Sequence, residues 1–198
     1  MNNLFTIGYS SFEISEFVKT LQQNKINAVA DVRSSPYSKF KPDFNRETLK
    51  EELKKKNIEY VFLGENCGAR INDPSCYIDG KASYDLIKET EQFKKGLNRI
   101  LQGLDKYTIA LLCAEKDPIT CHRNILVCRN LKRFNIDIYH ILSPDEIEKN
   151  SQSEERLLKL FSLEQNELFL GKEDLLEEAY NRQGELIAYT ERGGAQDD

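Results

Sequence analysis

Two stretches of the chain gather side chains able to do chemistry: Asp31-Val32-Arg33, and Cys113-x-Glu115 running on to Cys121-His122-Arg123. A cysteine attacks efficiently only as its thiolate, so Cys113 and Cys121 are candidate nucleophiles where a helix start and nearby cations lower the thiol pKa. His122 can lend or take a proton. Glu115 is a candidate general base, or a partner for Arg123, because a carboxylate at a strand end is costly unless it is paired or wet. Arg33 and Arg123 offer planar, permanently charged forks, and a helix beginning near Arg123 would add backbone N–H groups, so an anion site is the natural inference. Against this stands a plainer reading. Cys113 would close a core strand as a small hydrophobe, Cys121 and His122 would brace a loop, and Asp31 would hold a loop or an arginine in place.

Tyr9, Tyr37, Phe40 and Phe44 interleave with Arg33, Lys39 and Lys41, a mixture suited to stacking bases while binding phosphates, although core packing explains Phe44 as well. Cys113, Cys121 and His122 are soft metal-ligand types that Cys67 or Cys76 could complete. There is no C-x-x-C pair, however, and no spacing of a familiar zinc module, so no metal and no cofactor are expected. Nor is there a phosphate-binding glycine loop or a C-x5-R loop: Arg123 stands ten residues past Cys113 and two past Cys121.

The elements that position these residues follow from hydrophobic patterning. Leu4-Phe5-Thr6-Ile7 reads as a short buried strand stopped by Gly8. Ser10 with Glu13 has capping-box spacing for a helix carrying Phe12, Phe17, Val18 and Leu21 on one face. Ile26–Val32 is a second strand ended before Pro36, residues 45–56 a helix with Leu49 and Leu53 inward, and Ile58–Leu63 a third strand. Residues 64–80 read as an extended loop, and Tyr84–Leu104 as one long amphipathic helix. The buried run Tyr107–Cys113 suits a strand covered on both faces. A polar loop follows, then a helix carrying Ile125, Leu126, Cys128 and Leu131, then a strand over Ile136–Leu142 with His140 inside it. Ser143-Pro144-Asp145-Glu146 reads as a helix start. Strands alternating with helices predict an α/β fold with a mostly parallel five-stranded sheet flanked by helices, and with binding sites outside the carboxyl ends of the strands.

Hydrophobic residues make up 39% and charged residues 31% of the 198, a balance expected of a water-soluble globular protein. No apolar run is long enough to span a bilayer and the start is not signal-like, which predicts a cytoplasmic protein without a membrane partner. Five cysteines, an odd number, predict reduced thiols. The net charge of -5 is unevenly spread: residues 145–198 are strongly acidic, leaving the remainder net positive. The expected organisation is an α/β domain over residues 1–144, an acidic helical extension packed on it over 145–192, and a disordered tail over 193–198.

The motifs Thr6-Ile7-Gly8-Tyr9-Ser10, Asp31-Val32-Arg33 with Pro36 and Ser38, Phe44-Asn45, and Cys113-x-Glu115 with Cys121-His122-Arg123 together resemble the bacterial and archaeal family catalogued as domain of unknown function 488. The resemblance runs over roughly residues 4–142. It implies an α/β fold and marks Tyr9, Ser10, Asp31, Arg33, Pro36, Ser38, Cys113, Glu115, Cys121, His122 and Arg123, and it delivers no reaction. Asn66-Cys67-Gly68 departs from the Gly-Gly pair of many relatives. A more distant likeness to rhodanese-like and cysteine phosphatase domains is analogy only, since the loop here is longer.

The expectation from sequence is an enzyme acting on a phosphate-containing substrate, a nucleotide or nucleic acid. Cys121, His122, Glu115 and Cys113 would be catalytic. Arg33, Arg123, Tyr9, Ser10, Asp31, Ser38 and Lys41 would bind substrate, with both arginines and the thiols converging on one solvent-accessible hollow. The rivals are a noncatalytic module binding nucleic acid or protein, and a zinc-stabilised scaffold.

Overall fold

Apolar segments interrupted by glycine, proline and polar turns set the element order, seen in a computed structural model that describes residues 3–164 and 171–191. Strand β1 (Asn3–Gly8) leads through a tight turn at Tyr9–Ser11 into α1 (Ile14–Gln23). β2 (Ala28–Asp31) and α2 (Arg46–Lys54) precede β3 (Glu59–Phe62). Next come the one-turn helix α3 (Gly64–Cys67), a small hairpin of β4 (Tyr77–Ile78) and β5 (Lys81–Ala82), and the helices α4 (Tyr84–Ile87) and α5 (Glu91–Leu104). After β6 (Ile109–Cys113), a polar loop enters a π-helical segment, Arg123–Cys128, continuous with α6 (Arg129–Leu131). The chain closes with β7 (Asp137–Ser143), β8 (Glu146–Lys149), α7 (Asn150–Leu160) and α8 (Lys172–Ile187).

Six strands form one sheet in the order β3-β2-β6-β1-β7-β8. All neighbours run parallel except β7 and β8, which are antiparallel. The sheet is therefore mixed and six-stranded, not five-stranded. The added strand comes from Ser143–Glu146, where a helix start was expected: Ser143 pairs with Glu146 across a two-residue turn at Pro144 and Asp145. Proline at a turn position satisfies the same local preference as proline at a helix start, and the paired edge of β7 decides between them.

Three other local expectations change. The helix after β1 begins at Ile14 behind Glu13, with no side-chain cap, because Ser10 lies in the preceding turn. The long helix over 84–104 is broken in two, since the Thr90 hydroxyl accepts the Phe93 N–H at 3.1 Å and starts α5 afresh. The segment 64–80, expected as loop, contains α3 and half of a hairpin. The expected tail at 193–198 lies outside the described residues.

The strand pleat sorts the core into two layers. Leu4, Ala28, Ala30, Val32, Ile109 and Leu111 face α5, the π-helical segment and the C-terminal helices, in one cluster with Phe93, Ile125, Leu126, Leu157, Leu175 and Tyr180. Ile7, Val29, Ala110, Leu112 and Ile141 face α1 and α2, with Phe17, Leu21, Leu49 and Leu53. The C-terminal helices are acidic and tied by ion pairs, Glu154 to Lys132 at 2.7 Å, Glu185 to Lys81 at 3.1 Å, and Glu177 to Arg129. No described helix is long and apolar enough to cross a membrane.

Candidate functional site

The ends of β1, β2 and β6 lie side by side, so the two chemistry-bearing stretches meet as main chain. The Ser10 N–H bonds the Ala114 carbonyl at 3.0 Å, and the Val32 N–H bonds Leu112 at 3.1 Å. Gly8 lies hard against the loop after β6: a Cβ there would sit 1.7 Å from the Glu115 carbonyl oxygen. Only a residue without a side chain lets that loop close over the strand end.

The side chains part company. Cys113 follows Leu111 and Ile109 onto the layer of α5 and α8, and there it joins Cys121 and His122. One nitrogen of His122 and the two sulfurs lie within 4.8 Å of one another. His122 Nε2 is 2.9 Å from the Val32 carbonyl, which can only accept, so this nitrogen carries hydrogen and Nδ1 is the atom turned to Cys113 Sγ at 3.7 Å. Cys121 Sγ lies 2.8 Å from Glu115 Oε2 and receives the Arg123 backbone N–H at 3.4 Å. The cysteines and histidine are buried, at 3%, 1% and 8% exposure, while Glu115 and Lys116 reach the surface.

The electrostatics of the cluster separate its two thiols. Burial opposes a charged Cys121, but the Cys113 thiol, the Arg123 charge and His122 outweigh it and draw its pKa down. Burial, and then the neighbouring Cys121, push Cys113 up. Glu115 is raised by burial and by the facing Cys121 sulfur. Burial works against a charged His122, yet Cys121 and Glu115 carry its pKa above the usual imidazole value. The remaining cysteines differ in kind: burial raises Cys76 and Cys128 and pushes Cys67 up to about 12.

Arg123 is wholly buried and holds protein, not solvent. Its Nη1 donates to the Glu115 carbonyl at 2.6 Å, Nη2 to the Lys116 carbonyl at 2.9 Å, and Nε to Thr6 Oγ1 at 3.2 Å. Having accepted from Arg123, the Thr6 hydroxyl donates to His140 Nδ1 at 2.8 Å, which leaves His140 Nε2 to donate to Asn150 Oδ1 at 3.1 Å. His140 is thus a neutral core residue. Burial and the Arg123 charge bring its pKa down to about 3.

Asp31 and Arg33 turn to the layer of α1 and α2. Arg33 bonds the Asp31 carboxylate through Nε at 2.9 Å and Nη2 at 2.6 Å, and Nη2 also bonds the Phe44 carbonyl. Tyr60 donates to the same carboxylate at 2.6 Å, and the Arg33 guanidinium lies over the Tyr9 ring, itself stacked on Phe44. Burial disfavours the Arg33 charge, but Asp31 more than compensates and its pKa rises. Of its nitrogens, Nη1 is buried without a partner among the described residues.

The residues singled out from sequence therefore form two groups and a remainder. Cys113, Glu115, Cys121, His122 and Arg123 are one cluster; Tyr9, Asp31 and Arg33 are another, across the sheet. The expected single hollow holding both arginines and the thiols is not formed, because Arg33 lies one residue beyond Val32 and strand alternation sends it to the opposite face. Ser38 shapes its own loop by accepting the Phe40 and Lys41 N–H groups, and Lys41 Nζ is held by Glu13 and the Phe12 carbonyl. Sequence reasoning missed Thr6 and Tyr60 as partners of the two clusters. A lone threonine within the apolar run of β1 was the available signal for the first; nothing marked the second.

A family model described as Domain of unknown function DUF488 matches residues 13–129. The chain belongs to this family. The DUF488 match takes in Cys113 to Arg123 and the Asp31–Arg33 pair but begins after Tyr9 and Ser10 and ends before β7, a shorter stretch than the motif resemblance suggested. Neither the curated proteins nor the solved structures compared with the chain gave a match.

Proposed function

We propose that the chain is a thiol-dependent enzyme in which Cys121 is the nucleophile and Glu115 holds and returns its proton. The contact between Cys121 Sγ and Glu115 Oε2, with the Arg123 N–H on the same sulfur, carries this reading. A carboxyl that takes the proton and an amide that favours the resulting charge are the two supports a buried thiolate needs. The Cys113 thiol beside Cys121 favours the Cys121 charge, and His122, fixed by the Val32 carbonyl, positions Cys113. Entry is from the side of Glu115 and Lys116, where the loop between the cysteines meets solvent.

The substrate we propose is a phosphate-bearing molecule, a nucleotide or nucleic acid strand. Arg123 is committed to carbonyls and Arg33 to Asp31, so recognition beside the thiol falls to Lys116, the exposed cation next to Glu115. Native protein treated briefly with iodoacetamide at pH 7 should be alkylated at Cys121 ahead of the other four cysteines, as read by peptide mass spectrometry. Equal or slower labelling of Cys121 would remove the nucleophile from the proposal. Turnover of any nucleotide or oligonucleotide should be lost in Cys121→Ser with the fold intact by circular dichroism.

A further inference from the structure

Linear spacing argued against a metal site, but the fold brings the right atoms together. Two sulfurs and an imidazole nitrogen converge within 4.8 Å in a dry setting, and Glu115 Oε2 stands 2.8 Å from one of the sulfurs. Tetrahedral zinc, with bonds of about 2.0–2.3 Å, sets neighbouring ligand atoms roughly 3.5–3.8 Å apart, and the 3.7 Å from Cys113 Sγ to His122 Nδ1 falls in that range. The Glu115 carboxylate would need to draw back by about 1 Å. We propose that Cys113, Cys121, His122 and Glu115 form a binding site for a soft divalent cation of the zinc type, and that the bound cation masks the Cys121 thiol.

The surroundings suit such an ion. His122 gives its Nε2 hydrogen to the Val32 carbonyl, the outer hydrogen bond that fixes a ligating imidazole and turns its other nitrogen to the metal. Two thiolates and a carboxylate carry three negative charges. A divalent cation together with the buried Arg123 guanidinium balances them, so the filled site buries no net charge. Binding releases the thiol protons to solvent and changes no oxidation state. Three ligands are enclosed while Glu115 alone reaches the surface, which makes it the ligand that yields when the ion leaves. The masking rests on the thiol reading above; the binding does not.

The test uses the full chain, reduced and stripped with a chelator, then titrated with zinc chloride against a chromophoric competitor. One equivalent should bind, and affinity should fall at least 100-fold in Cys113→Ser and in Cys121→Ser but not in Cys76→Ser, outside the cluster. Cobalt(II) added to unaltered protein should give a thiolate-to-cobalt charge-transfer band, a readout independent of whether variants fold. No zinc retained against the competitor and no such band, or undiminished binding in Cys121→Ser, overturns the site. Alkylation of Cys121 should slow when zinc is added; full reactivity with zinc bound overturns the masking. Selective Cys121 alkylation without zinc binding would leave the thiol reading standing alone, whereas zinc binding without selective alkylation would sink that reading and keep the site.

Discussion

Arg156, on α7, grips Asp117, in the loop between Cys113 and Cys121, with both ends of its guanidinium: Nη1 to Oδ2 at 2.9 Å and Nη2 to Oδ1 at 2.8 Å. The same guanidinium holds Glu148 of β8, and from α8 Gln183 donates to the Ile119 carbonyl at 2.7 Å. Two C-terminal helices thus pin the loop that carries Glu115. Both members of the Arg156–Asp117 pair are about two-fifths exposed, so its worth to overall stability is modest, about 1 kcal/mol or less. Arg156→Leu also strands the buried Glu148 carboxylate, so it should lower the urea midpoint as well as raise native-state alkylation of Cys121 severalfold, because local opening becomes easier. Unchanged alkylation would show that the loop does not depend on this contact.

Acid should weaken the fold in two separable stages. Burial and Arg123 depress His140 from 6.5 to about 3, so the unfolded chain binds its proton first and stability falls as pH drops from about 6.5 toward 3. Burial would raise Asp117, but Arg156 and the Ile119 N–H more than reverse this. Its contribution is complete above the ordinary value of 3.8 and is lost as pH falls below it. Urea melts across pH 3–7 should lose their upper slope in His140→Gln and their lowest-pH slope in Asp117→Asn. Identical profiles in the wild type and both variants would contradict these assignments.

Thr6→Val keeps shape while deleting the hydroxyl between Arg123 Nε and His140 Nδ1. Two buried polar groups then lack a partner, and the expected cost is about 2–3 kcal/mol by denaturant titration. A loss below a few tenths would mean that other groups satisfy them.

Cys113→Ala removes the hydrogen-bond donor that does most to lower the Cys121 pKa. Rate-versus-pH profiles of Cys121 alkylation should have their midpoint below the ordinary thiol value of about 8.5 in the wild type and higher in the variant. A midpoint that stays put would assign the lowering to Arg123 and His122 instead.

Gly8→Ala sets a methyl group against the Glu115 carbonyl oxygen, backbone that has no flexible end to move. About 1–3 kcal/mol should be lost in thermal or urea melts. Wild-type stability would mean that the loop has a second seat.

The parallel core was legible because β1, β2, β3, β6 and β7 are apolar runs punctuated by glycine, proline or polar turns. Strand β8 was not: Glu146–Lys149 alternates charge and isoleucine with a single buried glutamate, and only pairing with β7 makes it a strand. Cys113, Glu115, Cys121 and His122 were legible as residue types near a strand end, and their cluster formed. That Arg123 would bond carbonyls and Arg33 would bond Asp31 was not, since a sequence shows a guanidinium but not what fills its donors. The metal-ligand geometry escaped because ligand spacing along the chain is a guide only where the loop is short.

The one-residue step from Val32 to Arg33 makes the sheet a partition between two polar assemblies on its opposite faces. Changes at Tyr60 and at Cys121 should then add in a double-mutant cycle, with coupling inside about 0.5 kcal/mol. Either compartment can be refitted by engineering without retuning its neighbour through the wall.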